Sequence, residues 1–503
     1  MKTRYLQFNN ISYKYETSPE FIFKDINLNF PIGWTGIIGA NGSGKTTLLE
    51  LASEELTPTS GSVQNYGTTY YCKQRTDFPP PYYQKLIDSY DKESFKILDL
   101  VSVKPEWFDR WESLSHGERK RCQIATALYS SPDILVVDEP TNHIDNECRE
   151  ILIKSLKTFK GIGLIVSHDR ELLNQICNNI VSLREKGYKH IHGNYDIYEQ
   201  EMEKEFKHLV GVKTTITKEI KKIEKEVKIR RQKVTQSDSR ISKRNISRKD
   251  HDTKSKLDAA RLTGKDAIDN KKYSQLKSRM DKMIYKKNAL DSTAKRELGV
   301  DLEGNKFPKS VIFFKKEDEL KLKNGRTLVY PDLLIGREDK IGIVGNNGSG
   351  KTSLINAIVN SGSLDNLDYS YIPQEITAEE SEILLKDAKS LNRDDKGKIF
   401  TIISRLNSDP KRLLDSQLPS PGEVRKLMLA LSILQKKVLI IMDEPTNHMD
   451  LPSIQCVEEA LYNYYGSVLL VSHDNTFLNK VVNIKWSIES VDNDMFKLNT
   501  KTV

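Results

Sequence analysis

The residues best suited to chemistry come in two matched sets. The tract DEPTNHID runs from Asp138 to Asp145 and DEPTNHMD from Asp443 to Asp450, seven of eight residues repeating at an offset of 305 (443 − 138). In each, the first acid closes an apolar run, ILVVD or LIIMD, of the kind a parallel strand buried on both faces requires. A carboxylate at the C-terminal edge of such a strand stands where α/β sheets bind ligands. Asp138 and Asp443 therefore suit a metal contact, directly or through water. The adjacent Glu139 and Glu444 are placed to polarise water as general bases, a role worth roughly 10²–10⁴ in rate. A DE pair alone reads equally as an ion pair or a helix cap.

Spacing argues for chemistry. A second motif, GxxxxGK[ST], places its lysine 93 residues ahead of one acid and 92 ahead of the other (138 − 45, 443 − 351). GANGSGKT at 39–46 and GNNGSGKT at 345–352 each follow a short β-branched run and precede a helical pattern, the context the motif needs. Gly39, Gly42 and Gly44, with Gly345, Gly348 and Gly350, let backbone N–H groups turn inward around phosphate oxygens, and the helix N-terminus adds partial positive charge. Lys45 and Lys351 are expected to reach β- and γ-phosphates, and Thr46 and Thr352 to set a hydroxyl on Mg²⁺. Asn41, Ser43 and Thr47, with Asn347, Ser349 and Ser353, complete the expected contacts. His168 and His473, in the repeated VSHD, follow apolar strands and are placed to hydrogen-bond a γ-phosphate.

Positioning these groups takes two copies of one domain. SHGE at 115–118 returns as SPGE at 420–423, so four ordered landmarks share an offset of 305 or 306. Strands alternating with helices around a phosphate loop predict an α/β nucleotide-binding fold in each copy. The expected domains are 1–198, 199–302 and 303–503.

The composition narrows the setting. The chain has 503 residues with 29% charged side chains, and no apolar run approaches the roughly 18 residues of a membrane span. Five scattered cysteines without a CxxC argue against a zinc site or disulfide framework, and the start has no secretory h-region, so a cytoplasmic protein is expected. Residues 201–300 hold 29 Lys+Arg against 15 Asp+Glu, while the remainder is net −6 (49 − 55). Such asymmetry suits a polyanionic partner for the middle segment.

The ordered motifs resemble those of ATP-binding cassette ATPases across both copies: Walker A, a Q-loop glutamine (Gln74, Gln374), a signature (LSHGERKR from Leu114; PSPGEVRK from Pro419), Walker B, a D-loop and a switch histidine. The resemblance implies ATP and Mg²⁺ as ligands. It implies Gln74 and Gln374 near the metal with Thr46, Asp138, Thr352 and Asp443, and Tyr15 stacking on adenine. It also implies head-to-tail closure, with Ser420, Gly422 and Glu423 facing the first P-loop and Ser115, Gly117 and Glu118 facing the second. The D-loops, Asn142 to Asp145 and Asn447 to Asp450, would bridge the halves.

Between the copies, Met202, Leu209, Ile216 and Ile223 form one heptad seam, and Phe206, Ile220, Val227 and Val234 another. Tyr273, Met280 and Ala294 alternate with Leu276, Met283 and Leu290. These predict two long helices, most simply an antiparallel coiled coil about 60 Å long. A basic tip near 228–269 includes nine basic residues and one acid within 228–249, suiting RNA phosphates as well as a solvated spacer.

Tandem cassettes, a long helical linker and GNYDIYEQE at 193–201 resemble the ABC-F proteins, most closely their antibiotic-resistance branch. That resemblance implies a monomer that binds the 70S ribosome at the exit-tRNA site, with the linker reaching P-site tRNA and 23S rRNA near the peptidyl-transferase centre. It implies release of lincosamide, streptogramin A or pleuromutilin antibiotics. DNA and a membrane subunit are not expected as partners. A housekeeping translation factor acting on stalled or idle ribosomes remains an alternative, and an exporter's ATPase subunit a more distant one.

Overall fold

A computed structural model of the chain describes residues 5–16, 18–142, 144–184, 187–241, 265–293, 311–316, 318–322, 325–362, 364, 367–415, 419–492 and 494–502. Side chains are not described at 233–241, 265–270, 288–293, 311, 312, 314 and 415. Residues Met1–Tyr198 and Leu298–Val503 form one compact unit and Glu199–Glu297 a second.

In the first cassette, unbroken apolar runs become central strands. Ile134–Asp138 and Ile162–Val166 are buried at every residue. They lie in a sheet ordered Thr69–Cys72, Ile134–Asp138, Ile162–Val166, Gly33–Gly39, Cys177–Arg184, Gly187–His192. All neighbouring pairs are parallel except the last. Three antiparallel strands, Phe23–Phe30, Leu6–Tyr13 and Ser60–Asn65, make a separate sheet.

The second cassette repeats the order. Tyr369–Ile372, Leu439–Asp443, Ser467–Val471, Lys340–Gly345, Ile484–Ser490 and Met495–Thr502 are successive neighbours, extended at the far edge by Thr327–Tyr330 and Asp318–Lys321. The parallel register pairs Asp138 with Val166 and Asp443 with Val471, so each acid ends its strand at the same level. The α/β fold with two P-loop cassettes is therefore present as expected.

Each phosphate loop turns into its helix through a glycine in the left-handed region, Gly44 at φ 90° and Gly350 at φ 96°. L side chains avoid that conformation. A Cβ on Gly44 would also meet Ile22 and Phe23 side-chain atoms at 2.5 and 2.7 Å. The helices Lys45–Ala52 and Lys351–Val359 follow. The cassettes share core: among the described residues Leu451, of the second, belongs to the hydrophobic cluster of the first.

The linker unit consists of two helices among the described residues. Tyr195–Ile241 has 47 residues, about 70 Å at the α-helical rise, and Lys265–Thr293 has 29. Along the first, Met202, Phe206, Leu209, Ile216 and Val227 are partly sheltered, while Ile220 and Ile223 are buried. Along the second, Tyr273, Leu276, Met280 and Met283 are partly sheltered at the heptad spacing. Ile229 and Arg230 line a groove with Lys272, Leu276 and Arg279, so the two helices lie side by side. The seam positions Val234, Leu290 and Ala294 and most of the basic tip lie outside the residues with described side chains. Among the described residues no helix is long and apolar enough to cross a membrane.

Candidate functional site

The P-loop lysines are buried and curled onto their own loops. Lys45 Nζ donates to the Gly39 and Ala40 carbonyls at 3.0 and 3.1 Å, and Lys351 Nζ to those of Gly345 and Asn346 at 2.8 and 3.0 Å. Burial lowers both ammonium pKa values, and nearby carboxylates, led by Glu139 and Glu444, oppose that shift. Each lysine's charge is thus held in a poorly solvated loop, where an anion gains most from it.

The next residue reaches the acid. Thr46 Oγ1 donates to Asp138 Oδ2 at 3.0 Å and Thr352 Oγ1 to Asp443 Oδ2 at 2.8 Å. Burial raises both aspartates' pKa values, and these hydroxyl bonds hold them back. The second oxygen of each, Oδ1, is buried without a hydrogen-bond partner among the described residues, as are Ser43 Oγ and Ser349 Oγ.

Those unpartnered atoms test the fit of ligands. A buried polar atom without a partner costs about 1–3 kcal/mol, so four at matched positions mark places where something else binds. Open space lies where a Cβ on Gly42 or Gly348 would project. Serine hydroxyls, lysines and loop amides suit phosphate, and the Thr–Asp pairs suit a hard divalent cation. Among the described residues no cluster of three or more His, Cys, Asp or Glu surrounds a point. Mg²⁺ binds through one or two carboxylates plus substrate phosphates and needs no such cage.

Beyond each aspartate the chain is strained. Glu139 has φ 44° and Glu444 φ 50°, left-handed values for non-glycine residues. Amide bonds to the Val166 and Val471 carbonyls, both 2.9 Å, hold them there. Each carboxylate is thereby turned to its switch histidine: the His168 amide donates to Glu139 Oε2 at 3.3 Å, and that of His473 to Glu444 Oε2 at 3.4 Å. Burial pushes both glutamates up to about 8, and the neighbouring Asp138 and Asp443 charges add to it. Burial likewise pushes His168 down to about 3 and His473 to about 4.

Each P-loop meets the other cassette's D-loop. The Asn41 amide donates to Asp450 Oδ2 at 2.7 Å and Asn41 Nδ2 to the His448 carbonyl at 3.2 Å. On the other side the Asn347 amide is 3.4 Å from Asp145 Oδ2, and the Asn347 Oδ1 lies 3.0 Å from His473 Nε2.

The signature segments start helices His116–Tyr129 and Pro421–Leu434. Ser115 with Glu118, and Ser420 with Glu423, form reciprocal capping boxes. The change from Leu114 to Pro419 leaves that cap intact. Gly422 packs against its own D-loop, where a Cβ would stand 2.7 Å from the His448 carbonyl, and Gly117 lies beside Cys148.

Other expected residues are placed less directly. Tyr15 sets its hydroxyl 3.0 Å from Thr47 Oγ1 and packs edge-on against Tyr13. Gln74 is exposed, and Gln374 is half-buried with its carbonyl accepting from Arg425. Sequence reasoning missed Arg425, which is 1% exposed and also donates to the Asn447 carbonyl at 2.6 Å, joining Q-loop to D-loop. Its counterpart Lys120 donates to the Lys73 carbonyl at 2.8 Å, beside Gln74. A cation at the same place in both signature helices (425 − 120 = 305) was the available signal.

The ABC transporter family model matches residues 23–142 and 331–447. The chain is 27% identical over 501 residues to the ribosome protection protein VmlR of Bacillus subtilis (strain 168), covering 96% of this chain and 86% of that one. It is 26% identical over 508 residues to the erythromycin resistance ATP-binding protein MsrA of Staphylococcus epidermidis, covering 96% and 97%. A crystal structure of archaeal ribosome recycling factor aABCE1 in complex with the archaeal ribosomal stalk protein aP1 shares the fold. Its TM-score is 0.60 at 14% identity, over 98% of this chain and 90% of that one.

Proposed function

We propose a function from one premise: this chain belongs to the ATP-binding cassette ATPases, as a tandem-cassette protein of the ABC-F kind. It is an ATPase. The finer reading is a cytoplasmic ribosome-binding protein that closes its cassettes on ATP, inserts its linker near the peptidyl-transferase centre and withdraws after hydrolysis. Its effect is release of large-subunit antibiotics of the lincosamide, streptogramin A or pleuromutilin type. The observation that carries the ATP-driven part is the reciprocal approach of each P-loop amide to the opposite D-loop aspartate. The ribosomal part rests on full-length similarity to a ribosome protection protein and on the basic excess of residues 201–300.

Within each site we assign roles as follows. Lys45 and Lys351, with the loop amides, bind the phosphates. Thr46 with Asp138, and Thr352 with Asp443, would hold Mg²⁺, with Gln74 and Gln374 as further ligands. The metal, when bound, neutralises charge on the phosphate oxygens. Glu139 and Glu444 orient the attacking water and take its proton; His168 and His473 hold those carboxylates and face the γ-phosphate. Ser115, Gly117 and Glu118, and Ser420, Gly422 and Glu423, close over the opposite nucleotide, and Tyr15 supports the adenine. We assign the domains as 1–198, 199–302 and 303–503.

Combining Glu139→Gln with Glu444→Gln should trap the closed state, so that ATP drives lasting co-sedimentation with 70S ribosomes. Sedimentation without any ATP-dependent association removes the ribosomal reading. Shortening 235–268 while ATPase activity persists should abolish drug protection in a sensitive host. Unchanged protection, with a growth defect on deletion in drug-free medium, would favour a housekeeping role on stalled ribosomes.

A further inference from the structure

We propose that Arg170 and Glu458 form a positioning pair that ties the first site's His168–Glu139 geometry to cassette closure, and that the second site has no equivalent. Arg170 Nη2 lies 2.8 Å from Glu458 Oε1, and the side chains are 3% and 6% exposed. Arg170 opens the helix Arg170–Ile176, two residues beyond His168; Glu458 lies in the helix Leu451–Tyr462 that leaves the second cassette's D-loop. The pair therefore crosses between cassettes.

The same helix grips the first cassette elsewhere. Its cap residue Asp450 accepts the Asn41 amide of the first P-loop at 2.7 Å. Leu451, Gln455 and Glu458 follow at i, i+4 and i+7, one helical face. Leu451 enters the first cassette's core, Gln455 Nε2 donates to the Tyr195 hydroxyl at 3.2 Å, and Glu458 takes Arg170. One rigid element thus fixes both the loop that binds phosphate and the segment that carries the switch histidine.

The internal repeat supplies the comparison. The positions equivalent to Arg170 and Glu458 are Asn475 (170 + 305) and Ile153 (458 − 305), which cannot pair ionically. The matching P-loop to D-loop contact is also longer, 3.4 Å for Asn347 and Asp145. Lys480 stands 3.5 Å from Glu458 Oε2 but is about half exposed, so water screens it. A buried ion pair adds little net stability, yet either charge left alone is costly. Its geometry is consequently all or none: when the cassettes separate both charges rehydrate, and when they close residue 170 has one position.

This inference rests on the reading of Glu139 and Glu444 as the water-orienting groups, and the test separates the two. Steady-state ATPase is measured on the full chain in two backgrounds, Glu444→Gln, which leaves the first site its glutamate, and Glu139→Gln, which leaves the second. Where steady state is too slow, single-turnover hydrolysis of labelled ATP reads the same ratio. Arg170→Met should lower kcat at least about fivefold in the first background, with KM nearly unchanged, and less than about twofold in the second. Exchanging the charges, Arg170→Glu with Glu458→Arg, should restore most of the loss. The apolar pair Arg170→Met with Glu458→Leu keeps the interface packed and guards against misfolding; it should hold the wild-type melting temperature and still lose first-site kcat. Equal losses in both backgrounds, no loss in either, or an apolar pair with full first-site activity overturns the proposal. Wild-type turnover in the Glu139→Gln, Glu444→Gln double variant would instead overturn the assignment of the glutamates.

Discussion

His168 Nε2 stands 3.2 Å from Glu139 Oε1, and the second cassette repeats the pair with His473 Nε2 3.6 Å from Glu444 Oε1. Burial raises the glutamates to about 8 and lowers the histidines to about 3 and about 4, so it favours the proton on the carboxyl and a neutral ring. The pairing is a neutral contact in a buried pocket, not an ion pair. The protonated carboxyl is the form that burial favours beside a neutral imidazole.

That arrangement fixes a pH dependence. Each folded glutamate keeps a proton that the unfolded chain releases above its ordinary value of 4.5. Stability therefore falls as pH rises from there toward 8. Each histidine refuses a proton that the unfolded chain takes below 6.5, so stability also falls on the acid side. Glu139→Gln with Glu444→Gln removes the alkaline limb. Its melting temperature without nucleotide should exceed wild type at pH 8, by a gain on the order of a few kcal/mol, and the gap should close toward pH 5. A constant gap from pH 5 to 8 would show that proton linkage is not its source.

The Thr–Asp pairs predict a metal effect larger than their folding effect. Thr46→Val and Thr352→Val keep shape and remove the hydroxyls that steady Asp138 and Asp443. Half-maximal ATPase should then need at least about tenfold more Mg²⁺. Circular dichroism melts should record a loss of no more than about 1–3 kcal/mol per site, the cost of a buried carboxylate oxygen left without its donor. An unchanged Mg²⁺ requirement argues against these threonines as ligands.

Much of this was legible from the residues. The strands Ile134–Asp138 and Leu439–Asp443 were visible because two covered faces demand unbroken apolar runs. The P-loops, the paired acids and the histidines were visible because duplication repeated them in order. The helical linker was visible in its heptads, and among the described residues Ile220 and Ile223 are its most buried seam positions. What stayed hidden depends on long-range placement. Nothing near Glu139 announces φ 44°, because the amide bond that holds it comes from Val166 on another strand. Arg170 and Glu458 had no signal, since each lacks a repeat partner and they meet across 288 positions (458 − 170).

Arg425 should prove structural and functional at once. Its guanidinium joins the Gln374 and Asn447 carbonyls from inside the signature helix. Arg425→Leu would leave two buried acceptors unsatisfied, at about 1–3 kcal/mol each. Arg425→Lys retains one bond and should recover roughly half of that loss in urea unfolding. If leucine and lysine behave alike, the carbonyl contacts are not what the arginine contributes.

The two D-loop aspartates should differ in weight. Asp450 is buried, accepts from Asn41 and Ser453, and has the Lys426 ammonium near it; together these hold its carboxyl below the ordinary range despite burial. Asp145 makes the longer contact to Asn347 and otherwise caps its own helix through the Cys148 amide at 3.0 Å. Asp450→Ala removes a buried acceptor from the Asn41 and Ser453 amides and a counter-charge from beside Lys426, for a loss of about 2–4 kcal/mol. Asp145→Ala removes mainly a helix cap, worth about 1 kcal/mol. Urea unfolding of the two variants ranks them directly. A fluorescent ATP analogue should report weaker binding for Asp450→Ala in the Glu444→Gln background, because that aspartate touches the first P-loop. Equal losses of stability for the two alanine variants would mean that the shorter, buried contact contributes no more than its longer counterpart.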